Sequence, residues 1–157
     1  MVVNVIVQQG NPLKVLSDAV ITFVSPTGPW LSAVDQAIRS KHGPDLHDQL
    51  TEQMPLQDSD AVLTRATSPP AALADAVLFI VDDETRPLGQ LVLEGLRAAD
   101  RKELKWVTLG FPATRLRASL YHPLGPHFMN DVHAAIQTFI DQEPEHIYCI
   151  KLFEIEG

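Results

Sequence analysis

Two stretches, AVITFV (residues 19–24) and AVLFIV (residues 76–81), are apolar at almost every position. A strand with one face in water alternates apolar and polar residues, so an unbroken apolar run marks a strand buried on both faces. Strands of that kind require helices on each side of their sheet, and the rest of the chain supplies them. Between the two runs and after them, strand-like and helix-like segments alternate. The pattern predicts a three-layer α/β/α fold with a mixed sheet of five or six strands.

The β-rich run VVNVIVQQ (2–9) opens the chain. DAVLTRAT (60–67) alternates enough to be a half-exposed strand, and DAVLFIVDD (75–83) follows the turn signal TSPPA. LKWVTLGF (104–111) and HIYCIKLFEI (146–155) complete the strands. Ser32 and Asp35 fit a capping-box start, Val34, Ala37 and Ile38 share one apolar face, and Gly43-Pro44 ends that helix. A short second helix fits residues 44–53. Pro87 falls in the first turn of a helix running to about Asp100, with Leu91, Val92, Gly95 and Leu96 facing inward. GPHFMNDVHAAIQTFIDQ (125–142) reads as a further helix. At 157 residues the chain is expected to form one domain over 1–157.

Ligands of such sheets sit beyond the carboxyl ends of the strands, near the point where the strand order reverses. The loops to watch are therefore 9–13, 25–33, 82–87 and 111–127. Twenty acidic residues against twelve basic ones give a formal charge of −8, which argues against nucleic acid and anionic membrane as partners. An anionic ligand would have to be held by local amides, helix dipoles or a few arginines. A single cysteine, Cys149, within an apolar run fits a reducing cytoplasm, and the amino-terminal stretch lacks the pattern of a signal peptide.

Four stretches, in order, resemble the macro domain, the ADP-ribose-binding module. Gly10-Asn11, then DAVITFVS, is similar to the family's Gly-Asp start and second strand. VDQAIRSKHGPDL resembles its Val-Asp-Gly-Ala-Ile helix, which ends in Ala-Gly-Pro-Glu-Leu. LKWVTLGFPAT resembles the strand ending in Phe-Pro-Ala, and IYCIKLFE the last strand with its Phe-Asp end. The resemblance runs from about Val3 to Phe153 and implies the macro-domain fold.

It also implies where a ligand would sit, and there the sequence departs from the family. The adenine-contacting Asp falls on Asn11, beside Pro12, so the acceptor becomes an uncharged amide. The asparagines that meet the distal ribose fall on Thr22 and Ser25. The glycines that admit the diphosphate fall on Trp30 to Ala33, leaving the amides of Ser32, Ala33 and Val34 at a helix start as donors. Instead of the second glycine-rich loop stands TRLRASLYHPLGPH, longer and basic, with Thr114, Arg115, Leu116 and Arg117 at its head. Arginine contact to phosphate is one reading of that pair, and exposed pairing with Asp82, Asp83 or Glu84 is the other. Tyr121 falls near the distal ribose, and Phe153, ending the last strand, is placed either to stack on adenine or to pack in the core.

These readings lead to binding of ADP-ribose or a related nucleotide diphosphate, without efficient hydrolysis, because no family residue that poises water is retained. Two alternatives stay open. One is a protein-interaction module that kept the fold and lost the pocket; the other is an ADP-ribosyl hydrolase using replacements such as Ser25 or Asp35. No cofactor is implied. The acidic run 82–84 reads as a solvated loop, a Mg²⁺ site or an acid–base group, the first being usual for exposed charges. His42/His47 and His122/His127 are five apart, a spacing that shares no helical face, so zinc is not expected. There is no Gly-x-Ser-x-Gly elbow and no Gly-x-Gly-x-x-Gly after the first strand.

Overall fold

The computed structural model describes residues 2–9, 17–24, 48–49, 52, 61–65, 74–81, 87–112 and 128–155. Among them the chain order is β1 (Asn4–Gln9), β2 (Ser17–Val24), β3 (Ala61–Arg65), β4 (Ala74–Val81), α1 (Leu88–Arg101), β5 (Trp106–Pro112), α2 (Phe128–Asp141) and β6 (Cys149–Ile155). Each strand read from the sequence is present, and so are the helices expected after Pro87 and Gly125. Residues 32–43 lie outside the described residues. Of the short helix expected over 44–53, Asp48 and Gln49 are helical, and Glu52 N–H donates to the Asp48 carbonyl at 3.0 Å. Two details differ. Pro87 caps α1 instead of lying in its first turn, its carbonyl accepting from Leu91 N–H at 3.2 Å. Cys149 begins β6 instead of sitting in its middle, and is buried there as a free thiol.

The six strands form one sheet in the order β1-β6-β5-β2-β4-β3. All neighbours run parallel except β3, which is antiparallel to β4. The register places Val7, Leu152, Leu109, Ile21, Leu78 and Leu63 side by side across all six strands. Leu152, Leu109, Ile21 and Leu78 of that row meet Leu91, Val92 and Leu96 of α1 and Val132, Ile136 and Phe139 of α2 in one core, with Leu63 packed against it, while Val7 at the outer end is 55% exposed. Gly95 lets α1 lie close on the sheet: a Cβ there would stand 3.3 Å from Ile80 Cγ1 and 3.4 Å from Ile21 Cγ2. On the opposite face Val20, Val77, Phe79 and Thr108 are buried as well. Burial on both faces is what unbroken apolar runs demand, and β2 and β4 satisfy it. No helix among the described residues is long and apolar enough to cross a membrane.

Both helices end on a glutamate in the left-handed region, Glu103 at φ 62° and Glu143 at φ 55°. After α1, Glu103 N–H donates to the Asp100 carbonyl (3.0 Å) and Leu104 N–H to the Ala99 carbonyl (3.1 Å), the paired bonds of a Schellman cap. After α2, Glu143 N–H donates to the Ile140 carbonyl at 3.0 Å, and Pro144, having no N–H, ends the pattern. A side chain in that conformation costs about 1–2 kcal/mol relative to the right-handed one, a cost glycine avoids. Glu103→Gly is therefore expected to stabilise the fold by about 0.5–1 kcal/mol, since glycine's extra unfolded-state entropy takes back part of the gain. Thermal melting checks this; a lower melting temperature in the variant would show that the glutamate side chain contributes more than its strain costs.

Candidate functional site

Because β1, β6, β5, β2 and β4 are parallel, their carboxyl ends all open on one edge of the molecule. After β2 the chain moves outward to β3, beyond β4; after β5 it moves the other way, through α2 to β6. Connections leave in opposite directions from the neighbouring pair β2 and β5. That boundary is the topological switch point of the sheet, where open α/β folds take their ligands. Val24 ends β2 and Pro112 ends β5, so Phe111 and Pro112 belong to the strand and not to the loop expected over 111–127; residues 25–33 and 113–127 lie outside the described residues.

Of the residues singled out from the sequence, Thr22 and Phe153 are among those described. Thr22 lies two residues before the end of β2, beside Phe79 of β4, and is 3% exposed. So little of it is open that it underlies the switch-point edge more than it lines it. Phe153 lies in β6 between Gln8 of β1 and Gly110 of β5, three strand positions from Ile150 towards the same edge. Asn11, Pro12, Ser25, Ser32, Ala33, Val34, Thr114, Arg115, Leu116, Arg117 and Tyr121 lie outside the described residues, as do Trp30, Asp35, Asp82, Asp83 and Glu84. His133 is exposed on α2. Among the described residues no group of His, Cys, Asp and Glu is arranged to hold a metal ion.

Two aspartates organise the opposite end of the sheet. Asp18 Oδ2 accepts from the backbone N–H of Lys105 (2.8 Å) and Trp106 (3.1 Å), fixing the entry of β5 against β2. Asp100, near the end of α1, accepts from Glu145 N–H (3.1 Å) on Oδ2 and from His146 (2.8 Å) and Ile147 (3.0 Å) on Oδ1. Burial works to raise the Asp100 pKa, but the N–H donors of Ile147, His146 and Glu145, helped by the charge of His146, outweigh it and hold the carboxyl below its ordinary range. Neither aspartate had been assigned this role from the sequence. The only local hint is an acidic residue at a strand start and at a helix end, and the partners are 87 and 45 residues away. Their function is to hold β5 and β6 from below, so that the carboxyl ends of these strands are set relative to β2.

No protein-family model and no curated protein matches the sequence. Solved structures do match. The macro domain of ganglioside induced differentiation associated protein 2 superposes with a TM-score of 0.74 at 15% identity, over 98% of this chain and 77% of that one. The Trypanosoma brucei macrodomain in complex with ADP-ribose gives 0.72 at 16% identity, over 96% of this chain. Its chain is the longer one: the match spans 63% of it, less than two thirds. The Oceanobacillus iheyensis macrodomain with ADP gives 0.67 at 15% identity, over 95% of this chain and 81% of that one. Near-complete coverage by such structures, together with the strand order above, leads to one conclusion: this chain has the macro-domain fold.

Proposed function

We propose that the chain binds ADP-ribose or a related nucleotide diphosphate at the carboxyl-end edge of its sheet and does not hydrolyse ADP-ribosyl linkages efficiently. The observation that carries this reading is the position of the switch point: it falls between β2 and β5, the strands that lead into two of the four stretches named from the sequence, 25–33 and 111–127. The ADP-ribose and ADP carried by macrodomains of the same fold support it. In this reading the amides of Ser32, Ala33 and Val34 give the diphosphate its direction, and Arg115 and Arg117, beside Thr114 and Leu116, give it charge. Asn11 and Pro12 face the adenine, with Phe153 stacked on it. Ser25, Tyr121 and the buried Thr22 are the residues assigned to the distal ribose. Thr22 and Ser25 have shorter reach than the asparagines they stand for in the resemblance, and this is the reason to expect binding without turnover.

The test is melting in the presence of ADP-ribose, followed by incubation with a mono-ADP-ribosylated protein. Ligand at a hundred times its Kd stabilises the folded state by about 2.7 kcal/mol. For a chain of this size that raises the melting temperature by roughly 5–10 °C. No shift at millimolar ADP-ribose would overturn the reading in favour of a protein-interaction module. Release of ADP-ribose that disappears in Asp35→Ala would overturn the non-hydrolytic part and leave binding standing.

A further inference from the structure

The outer edge of β1 pairs with no described strand, and its sequence carries neither the charge nor the proline that ordinarily keeps a sheet edge from pairing. There is no charged residue from Val2 to Leu13 and no proline within Asn4–Gln9. Its apolar side chains are open: Val5 is 38%, Ile6 37% and Val7 55% exposed. Asn4 N–H donates inward to the Tyr148 carbonyl at 2.9 Å, so Asn4, Ile6 and Gln8 face β6 through their backbones. Backbone groups alternate along a strand, which turns the N–H and C=O of Val5 and Val7 outward.

We infer that β1 is a homodimerisation edge, pairing antiparallel with β1 of a second copy about a two-fold axis at Ile6. The sequence of the strand is self-complementary in this register. Val5 of one copy stands opposite Val7 of the other and exchanges both backbone hydrogen bonds with it, on each side of the axis. Ile6 meets Ile6 in the non-hydrogen-bonded position, and Asn4 meets Gln8, amide against amide. Charge favours the same edge. A chain of net charge −8 repels its own copies over most approaches, whereas β1 is neutral and the residue beside Ile6 on β6 is Lys151.

Size sets the strength. An edge of six residues is about 20 Å long at ~3.3 Å per residue. Two such edges bury on the order of several hundred Å², short of the ~1,200 Å² at which stable interfaces begin. The dimer is therefore weak, with a Kd on the order of 0.1–1 mM. This inference does not rest on the ligand reading: it is argued from the outer edge of β1 alone, with β6 and β5 between that edge and the switch point.

Sedimentation equilibrium of the chain tests it. The average mass is expected to rise from 17.3 kDa towards twice that value between about 5 and 500 μM protein. Val7→Pro removes an outward N–H without touching the β1–β6 ladder, and Ile6→Glu sets two carboxylates opposite each other across the axis. Either variant is expected to stay monomeric while keeping the wild-type circular dichroism. Oxidation in a Cys149→Ala background reads the register: Ile6→Cys is expected to cross-link, because facing non-hydrogen-bonded Cα atoms are about 4.5 Å apart, and Val5→Cys at least about tenfold less. A wild-type chain still monomeric at 500 μM, a dimer that persists in either folded variant, or cross-linking of Val5→Cys as fast as Ile6→Cys would overturn the inference.

Discussion

Replacing Arg115 and Arg117 together with alanine is expected to weaken ADP-ribose binding by roughly tenfold to a hundredfold. With a formal charge of −8 the protein repels a diphosphate at long range, so whatever holds the anion must act at contact distance. Helix amides supply fixed partial charge, and Arg115 and Arg117 are the cationic side chains of the proposed site. A hydrogen bond to a charged group contributes about 1.5–3 kcal/mol, and each 1.4 kcal/mol is a factor of ten in affinity. Solvent exposure brings the effect towards the lower figure, and added salt reduces it further. Calorimetric titration of wild type and double variant at two salt concentrations measures it. Equal affinity in a folded double variant would remove the arginines from the site and leave the helix amides as its anchor.

Asp100→Ala is expected to cost about 2–4 kcal/mol at neutral pH, from three backbone N–H groups losing a charged acceptor in a half-buried corner. For a chain of this length that corresponds to a fall in melting temperature of roughly 5–15 °C. The pH dependence has a definite sign. The Asp100 carboxyl is held below its ordinary range in the folded protein, so the stability it contributes is present above the unfolded value of about 3.9. It is lost as pH falls through the folded value. Wild type and variant should therefore differ by a constant amount between about pH 5 and 7, and the difference should narrow as pH falls below about 4. Asp100→Asn, which keeps one acceptor oxygen, should lie between them. A variant melting within a degree of wild type at pH 7 would mean that residues 145–147 are held by something other than this carboxylate.

The layered fold was legible because its signals are local. A run such as AVITFV or AVLFIV declares burial on both faces through composition alone, and Ala19, Val20, Ile21 and the whole of residues 76–81 are buried as that requires. Proline before α1 and the apolar spacing of Leu91, Val92 and Leu96 belong to the same class of information, readable within a few turns of chain. The four motifs in order carried the likeness to macro domains, and the solved structures match it at the level of the fold.

The six strands and the helices α1 and α2 were thus readable from local signals. The order β1-β6-β5-β2-β4-β3 came only with the tertiary structure, and with it the switch point between β2 and β5. VVNVIVQQ reads as a strand whether it is central or peripheral, since β-propensity does not say how many neighbours a strand has. Only pairing on one side turns its valines into an exposed edge. Glycine is the usual residue where a helix ends in the left-handed region, so Glu103 and Glu143 gave no warning of that conformation. Asp18 and Asp100 look like ordinary surface acids until strands and loops from 45 to 88 residues away bring their N–H groups to them. Propensity and periodicity act over a few residues, whereas a backbone donor's partner is chosen by whatever the folded chain carries past it.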